Sequence, residues 1–184
     1  EIPGGRGDGV PVSSLIELQN GAKPVAMLTG QPEQHYLLSG SGGYGFIAKL
    51  GDMVGRVKAG KVVMTVDSGE TVLLPIAVYA SSLINPDCKI VLASSDHRLL
   101  AFSIGELKVM PKGRGLQLMS LTEGASLEHV LVTTAAEFIV ETVGKRGAAH
   151  QEKLRICDID GKRGKKGKVL DISGRLKTLS AASA

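Results

Sequence analysis

The feature that most constrains this chain is a repeat. Three stretches line up: YLLSGSGGYGFIAKLG (36–51), IVLASSDHRLLAFSIG (90–105) and HVLVTTAAEFIVETVG (129–144). In each, a mainly aliphatic run ends in Ser or Thr, a short turn follows, and a second run containing Phe closes on Gly. Short Val/Ile/Leu-rich runs bounded by Gly, Asp and Ser read as strands, so each unit reads as a hairpin. The chain holds three phenylalanines, Phe46, Phe102 and Phe138, and one falls in each unit. We read them as repeated core anchors rather than ligand-stacking platforms, because aromatic side chains dominate cores.

Downstream of each hairpin lies a Gly/basic element leading into another strand: RVKAGKVVMTV (56–66), KGRGLQLMSL (112–121) and GKRGKKGKVLDI (161–172). A fourth copy, GGRGDGVPVSSLIEL (4–18), has no hairpin before it. With Gly9, Gly60, Gly115 and Gly167 taken as equivalent, the spacings are 51, 55 and 52 residues. A period near fifty suits a blade of about four strands. No segment keeps helical periodicity for three turns, and PVAML, HYLLS, KVVMTV, KIVLAS, LQLMSL and KVLDI all read as short strands. The expectation is an all-β sandwich, barrel or propeller. It forms one domain over 1–184, with a leading half-blade at 4–30 and blades at about 34–70, 88–121 and 128–172. The start, EIPGGRGDG, lacks the pattern of a signal peptide and reads as a cut inside a longer chain.

Charge is unevenly placed. The net charge is +4, but residues 144–184 carry eleven Lys/Arg against four acids, +7, which leaves −3 for the remainder. A basic end on a mildly acidic body points to a polyanion, nucleic acid first; a solvated tail is the plain alternative. The repeat argues against the tail, because GKRGKKGK is the richest of four copies of one turn. It is not a P-loop either: Val169 stands where Ser or Thr would hold magnesium, and a strand follows instead of a helix. His35, His97, His129 and His150 have no i,i+4 pairing and no Cys companions, so the sequence offers no metal set. Asp52, Glu106 and Asp158 sit singly at turns, no nucleophile elbow occurs, and no catalytic centre is read. Cys88 and Cys157 read as buried thiols in a reducing cytosol, with a disulfide as the lesser alternative. No apolar run approaches the roughly 18 residues of a membrane helix.

Single-strand binding uses aromatic platforms, and this chain has no Trp and 3% aromatic residues. Duplex DNA held by its phosphates fits better. Arg6, Lys58, Lys61, Lys112, Arg114, Lys162, Arg163, Lys165, Lys166 and Lys168 recur at matching blade positions and should share one side of a disc. Arg56, Lys145 and Arg146 complete the candidate DNA-binding set.

GGRGDGVPVSSLIEL, GGYGFIAKLGDMVGRVKAGK, VLASSDHRLLAF and GKRGKKGK resemble the C-terminal DNA-binding domain of ParC, which is the A component of bacterial DNA topoisomerase IV and a relative of gyrase A. The resemblance covers nearly the whole chain. It implies a β-pinwheel, a propeller-like disc of four-stranded blades that exchange a strand with their neighbours, here truncated to three or four. It implies a noncatalytic, cytoplasmic domain whose basic rim binds and bends duplex DNA. Such a domain presents the transported segment for decatenation and relaxation. The implied partners are double-stranded DNA, the ParC cleavage core and the ATPase component ParE. ATP and magnesium are expected only in that larger enzyme. The gyrase box Q-R-R-G-G-K-G is absent; Lys162-Arg163-Gly164-Lys165-Lys166-Gly167 is the nearest run, which implies topoisomerase IV over gyrase and no tight chiral wrapping. Two other readings stand beside it: a basic propeller-like module for an acidic protein partner and, last, a propeller-type enzyme.

Overall fold

The computed structural model describes residues 7–18, 21–144, 147–171 and 174–182. Its strands are β1 (His35–Ser39), β2 (Tyr44–Lys49), β3 (Ile76–Val78), β4 (Lys89–Ser94), β5 (Arg98–Ser103), β6 (Leu116–Gln117), β7 (Leu127–Thr133), β8 (Glu137–Val143), β9 (Ala149–Arg155), β10 (Lys168–Val169) and β11 (Arg175–Ala181). They form three antiparallel sheets, in the orders β3-β1-β2-β6, β7-β4-β5-β10 and β11-β8-β9. The all-β expectation holds.

The sheets do not follow contiguous segments such as 34–70, 88–121 and 128–172. Each hairpin (β1–β2, β4–β5, β8–β9) takes one flanking strand from its own downstream chain: β3, β7 or β11. In the first two blades the other flank comes from the unit after. β6, in the second Gly/basic element, pairs with β2 of the first blade, Gly45 opposite Leu116. β10, in the third, pairs with β5 of the second blade, Leu99 opposite Lys168. In the third sheet β9 has no partner on its outer side among the described residues.

One expected hairpin is corrected. β7 and β8, which together span the 129–144 stretch, lie in different sheets, and β8 turns back on β9 with Phe138 opposite Leu154. β9 reads AHQEKLR and is exposed almost throughout, so it carries no hydrophobic signal. Helical turns show its equivalence to β2 and β5: Leu50–Met53 follows β2, Ile104–Glu106 follows β5 and Ile156–Asp158 follows β9. Three other expected strands also differ. Residues 24–28 belong to no strand, 61–66 form a single bridge, Met64 to Gly113, and residues 7–18 hold a helical turn at Val12–Leu15 and no strand.

The hydrophobic runs are continuous because both faces of a blade are buried. Along β4, Ile90 and Leu92 enter one core while Val91 and Ala93 enter the next. On β5, Leu100 and Phe102 face the first core, and Leu99 and Ala101 face the second. The first core therefore lies between sheets one and two, and the second between sheets two and three. A third core covers the outer face of the first sheet with Tyr36, Leu38, Phe46 and Ala48. Phe46, Phe102 and Phe138 each occupy a different core at 0% exposure, as the anchor reading requires. Each burial contributes about 1.5–3 kcal/mol.

Candidate nucleic-acid interface

β7 packs against both β3 and β11, so these three flanking strands gather on the inner side of the fan. β6 and β10 sit at the opposite edges of their sheets. The Gly/basic turns that lead into them therefore lie on the outer rim.

A shared backbone device holds these turns. Gly9, Gly60, Gly115 and Gly167 all have left-handed φ, +73°, +75°, +88° and +73°. At Gly115 a Cβ would stand 2.2 Å from the Gly45 carbonyl oxygen, and at Gly167 2.5 Å from that of Leu99. Only Gly allows the turn to close this tightly on the strand it completes. Successive turns also bond to one another. The Gly113 N–H donates to the Val63 carbonyl (2.9 Å), and the Thr65 N–H donates back to the Gly113 carbonyl (3.0 Å). The Gly164 N–H donates to the Leu118 carbonyl (2.8 Å), and the Ser120 N–H donates to that of Lys165 (3.0 Å). The Glu17 N–H reaches the Lys58 carbonyl (3.0 Å), tying in the leading segment. The rim is thus a backbone belt running from unit to unit.

The candidate cations divide by what they touch. Arg56, Lys58, Lys112, Lys162, Lys165 and Lys166 are exposed. Lys61 and Lys168, each directly after its turn glycine, donate from Nζ to the carbonyls of Asp52 (2.7 Å) and Asp158. Both acceptors lie in the helical turn upstream, so these two lysines cap that turn as well as carrying charge. Arg163 is half-buried: its guanidinium donates to the Gln117 carbonyl at 2.7 Å, and its backbone N–H donates to the Glu106 carboxylate at 3.1 Å. Arg114 lies 4.0 Å above the Tyr44 ring and pairs with Asp67 at 2.8 Å and Glu70 at 3.2 Å. Arg6, Lys145 and Arg146 fall outside the described residues.

Sequence reasoning misses Lys108. It is exposed on the run that flanks β2, where its carbonyl accepts from the Ile47 N–H at 3.2 Å. Its signal is its place four residues before Lys112 in the same element. Two acid pairings are missed as well. Asp160 pairs with Lys89 at 3.0 Å, and Asp158, read as a lone turn carboxylate, accepts from Nε and one terminal nitrogen of Arg155, each at 3.0 Å. Among the described residues no three His, Cys, Asp or Glu side chains gather to hold a metal, and no helix is long and apolar enough to cross a membrane. Cys88 and Cys157 are both free thiols; Cys88 is buried as expected, but Cys157 is exposed, because in the Ile156–Asp158 turn only Ile156 faces the core.

No protein-family model matches the chain. It is 72% identical over 181 residues, 98% of its length, to the A subunit of DNA topoisomerase 4 from Neisseria gonorrhoeae. It is 28% identical over 178 residues to the protein of the same name from Pseudomonas aeruginosa. The chain spans 24% and 22% of these two relatives. The E. coli ParC C-terminal domain superposes with a TM-score of 0.84 at 24% identity, covering 97% of this chain and 73% of that one. A DNA gyrase A C-terminal domain superposes at 0.67 with 20% identity, covering 94% of this chain and 58% of that one. The exchanged strands, the inter-blade cores and the match along the whole chain agree: the chain belongs to the family of DNA topoisomerase IV A subunits, as a segment with the β-pinwheel fold of the ParC and gyrase A C-terminal domains.

Proposed function

We infer that this segment is a noncatalytic grip for duplex DNA within topoisomerase IV. One observation carries the reading: exposed cations recur at equivalent outer-edge turns that are bonded directly to one another. Phosphates bound by Arg56, Lys58, Lys112, Lys162, Lys165 and Lys166 would release counterions, which yields affinity without base readout. Because the turns stand on blades that fan about an axis, a duplex following them bends toward the disc, at an elastic cost offset by added phosphate contacts. Density is greatest at Lys162–Lys168, so this turn makes the strongest contact. The segment itself performs no chemical step. It hands the transported segment to the ParC cleavage core, while the ATPase component ParE supplies ATP chemistry.

The test is a KCl series of binding to a short duplex, read by fluorescence anisotropy. Lys165→Ala/Lys166→Ala should weaken binding and make the log–log slope shallower by about 0.9 per lost contact, about 1.8 in all. Unchanged affinity and slope in a folded variant would show that the rim is misassigned. Weak duplex binding at physiological salt, with tight capture of an acidic protein, would favour a protein-interaction module instead.

A further inference from the structure

Arg114 stands at the matching rim position of the second unit, yet its surroundings differ from those of the lysines at Gly161–Lys168. One guanidinium nitrogen meets Asp67 at 2.8 Å, another meets Glu70 at 3.2 Å, and the planar group lies over Tyr44 at 4.0 Å. Its Nε is buried with no hydrogen-bond partner among the described residues, and the side chain is 36% exposed. The two carboxylates belong to one tight turn that is fixed independently of Arg114. The Asp67 N–H donates to the Glu70 carboxylate (3.0 Å), and the Glu70 N–H donates to the Asp67 carbonyl (3.0 Å). Just downstream, the Thr71 N–H donates to the Ser41 hydroxyl and the Ser41 N–H to the Thr71 carbonyl, tying the turn to the first hairpin. Two fixed carboxylates facing a planar guanidinium present oxygens where a phosphate would present them. The same unit also has Leu116 where the first and third units have Lys61 and Lys168.

We propose that Asp67 and Glu70 take the place of DNA phosphates on the second rim copy. Arg114 is then an inter-blade clamp and not a DNA contact, and the grip is interrupted, strong on the third unit and weak on the second. This rests on the duplex-binding reading. Arg114 alone meets both acids, so its turn with Asp67 and Glu70 carries no surplus positive charge, and exposed Lys112 and Lys108 are what the second copy still offers. No acid pairs with Lys162, Lys165 or Lys166 among the described residues.

The experiment compares wild type, Arg114→Ala, Arg114→Lys, Asp67→Asn/Glu70→Gln and Lys165→Ala/Lys166→Ala in the same salt series, with circular dichroism melts. Arg114→Ala should melt earlier while keeping duplex affinity within about twofold and the slope unchanged; Arg114→Lys, which loses the planar fork, should not restore the melt. Asp67→Asn/Glu70→Gln frees the guanidinium, so it should bind duplex more tightly and steepen the slope by about 0.9. A folded Arg114→Ala or Arg114→Lys that loses about tenfold in affinity, or an Asp67→Asn/Glu70→Gln variant with unchanged slope, overturns the proposal while leaving the Lys165/Lys166 reading intact. Wild-type protein that ignores duplex at every salt concentration overturns both.

Discussion

At the scale of single residues, four glycines share one left-handed conformation but not one environment. Gly115 and Gly167 press on a neighbouring strand's carbonyl, whereas nothing lies within 4 Å of a Cβ added at Gly60. Gly60→Ala should therefore cost only the conformational penalty, about 1–2 kcal/mol. Gly167→Ala adds a backbone clash and should cost clearly more; paired denaturant titrations measure the difference. His129 gives a second residue-level expectation. Burial pushes its imidazole below the ordinary 6.5; nearby Glu128 and the Leu176 backbone partly oppose this, and Arg175 adds to it. A proton then binds the unfolded chain more readily than the folded one. Stability should fall as pH drops below 6.5 toward the lowered value, and His129→Gln should flatten that part of a melting-temperature profile. Asp96 works in the other direction. Burial opposes its ionisation, but hydrogen bonds from Ser94, Thr122 and Arg98 outweigh this, so its contribution is full above the ordinary 3.8 and disappears only in stronger acid.

At the scale of elements, legibility in the sequence follows burial. β1, β2, β4 and β5 are buried on both faces and stand out as aliphatic runs. β9 has one neighbour among the described residues and stays polar, so it escapes notice and β7 reads as the hairpin partner of β8. The Gly/basic elements are legible as a repeat because each needs the same positive φ. Their swap into the preceding blade is not, since a two-residue strand such as Leu116–Gln117 does not announce its partner. Equivalent cationic residues likewise take unequal roles. Nothing in the run KGRG marks Arg114 as the one paired with Asp67 and Glu70, which lie in the preceding unit.

At the scale of the whole molecule, neither of the first two blades is built from its own unit alone. The first blade draws strands from Ile76–Val78 and Leu116–Gln117 as well as its hairpin, and the second reaches forward to Lys168–Val169. A lesion in one unit should therefore be felt in the unit before it. Leu170→Pro removes the N–H that donates to the His97 carbonyl at 3.0 Å, a loss worth about 1–3 kcal/mol. Hydrogen exchange across Arg98–Ser103 should then rise about tenfold or more. Acceleration confined to residues downstream of Asp160 would contradict the interlock.

The backbone belt has a mechanical corollary. Lys165 and Lys166 ride on the turn that enters β10, and β10 is hydrogen-bonded edge to edge with β5. Tension applied at those ammonium groups is passed as shear into Leu99 and Arg98 of the neighbouring blade, and through the Gly164–Leu118 link toward β6. A rod levered against this surface would load several blades at once, so the disc would yield as a unit and not one wedge at a time.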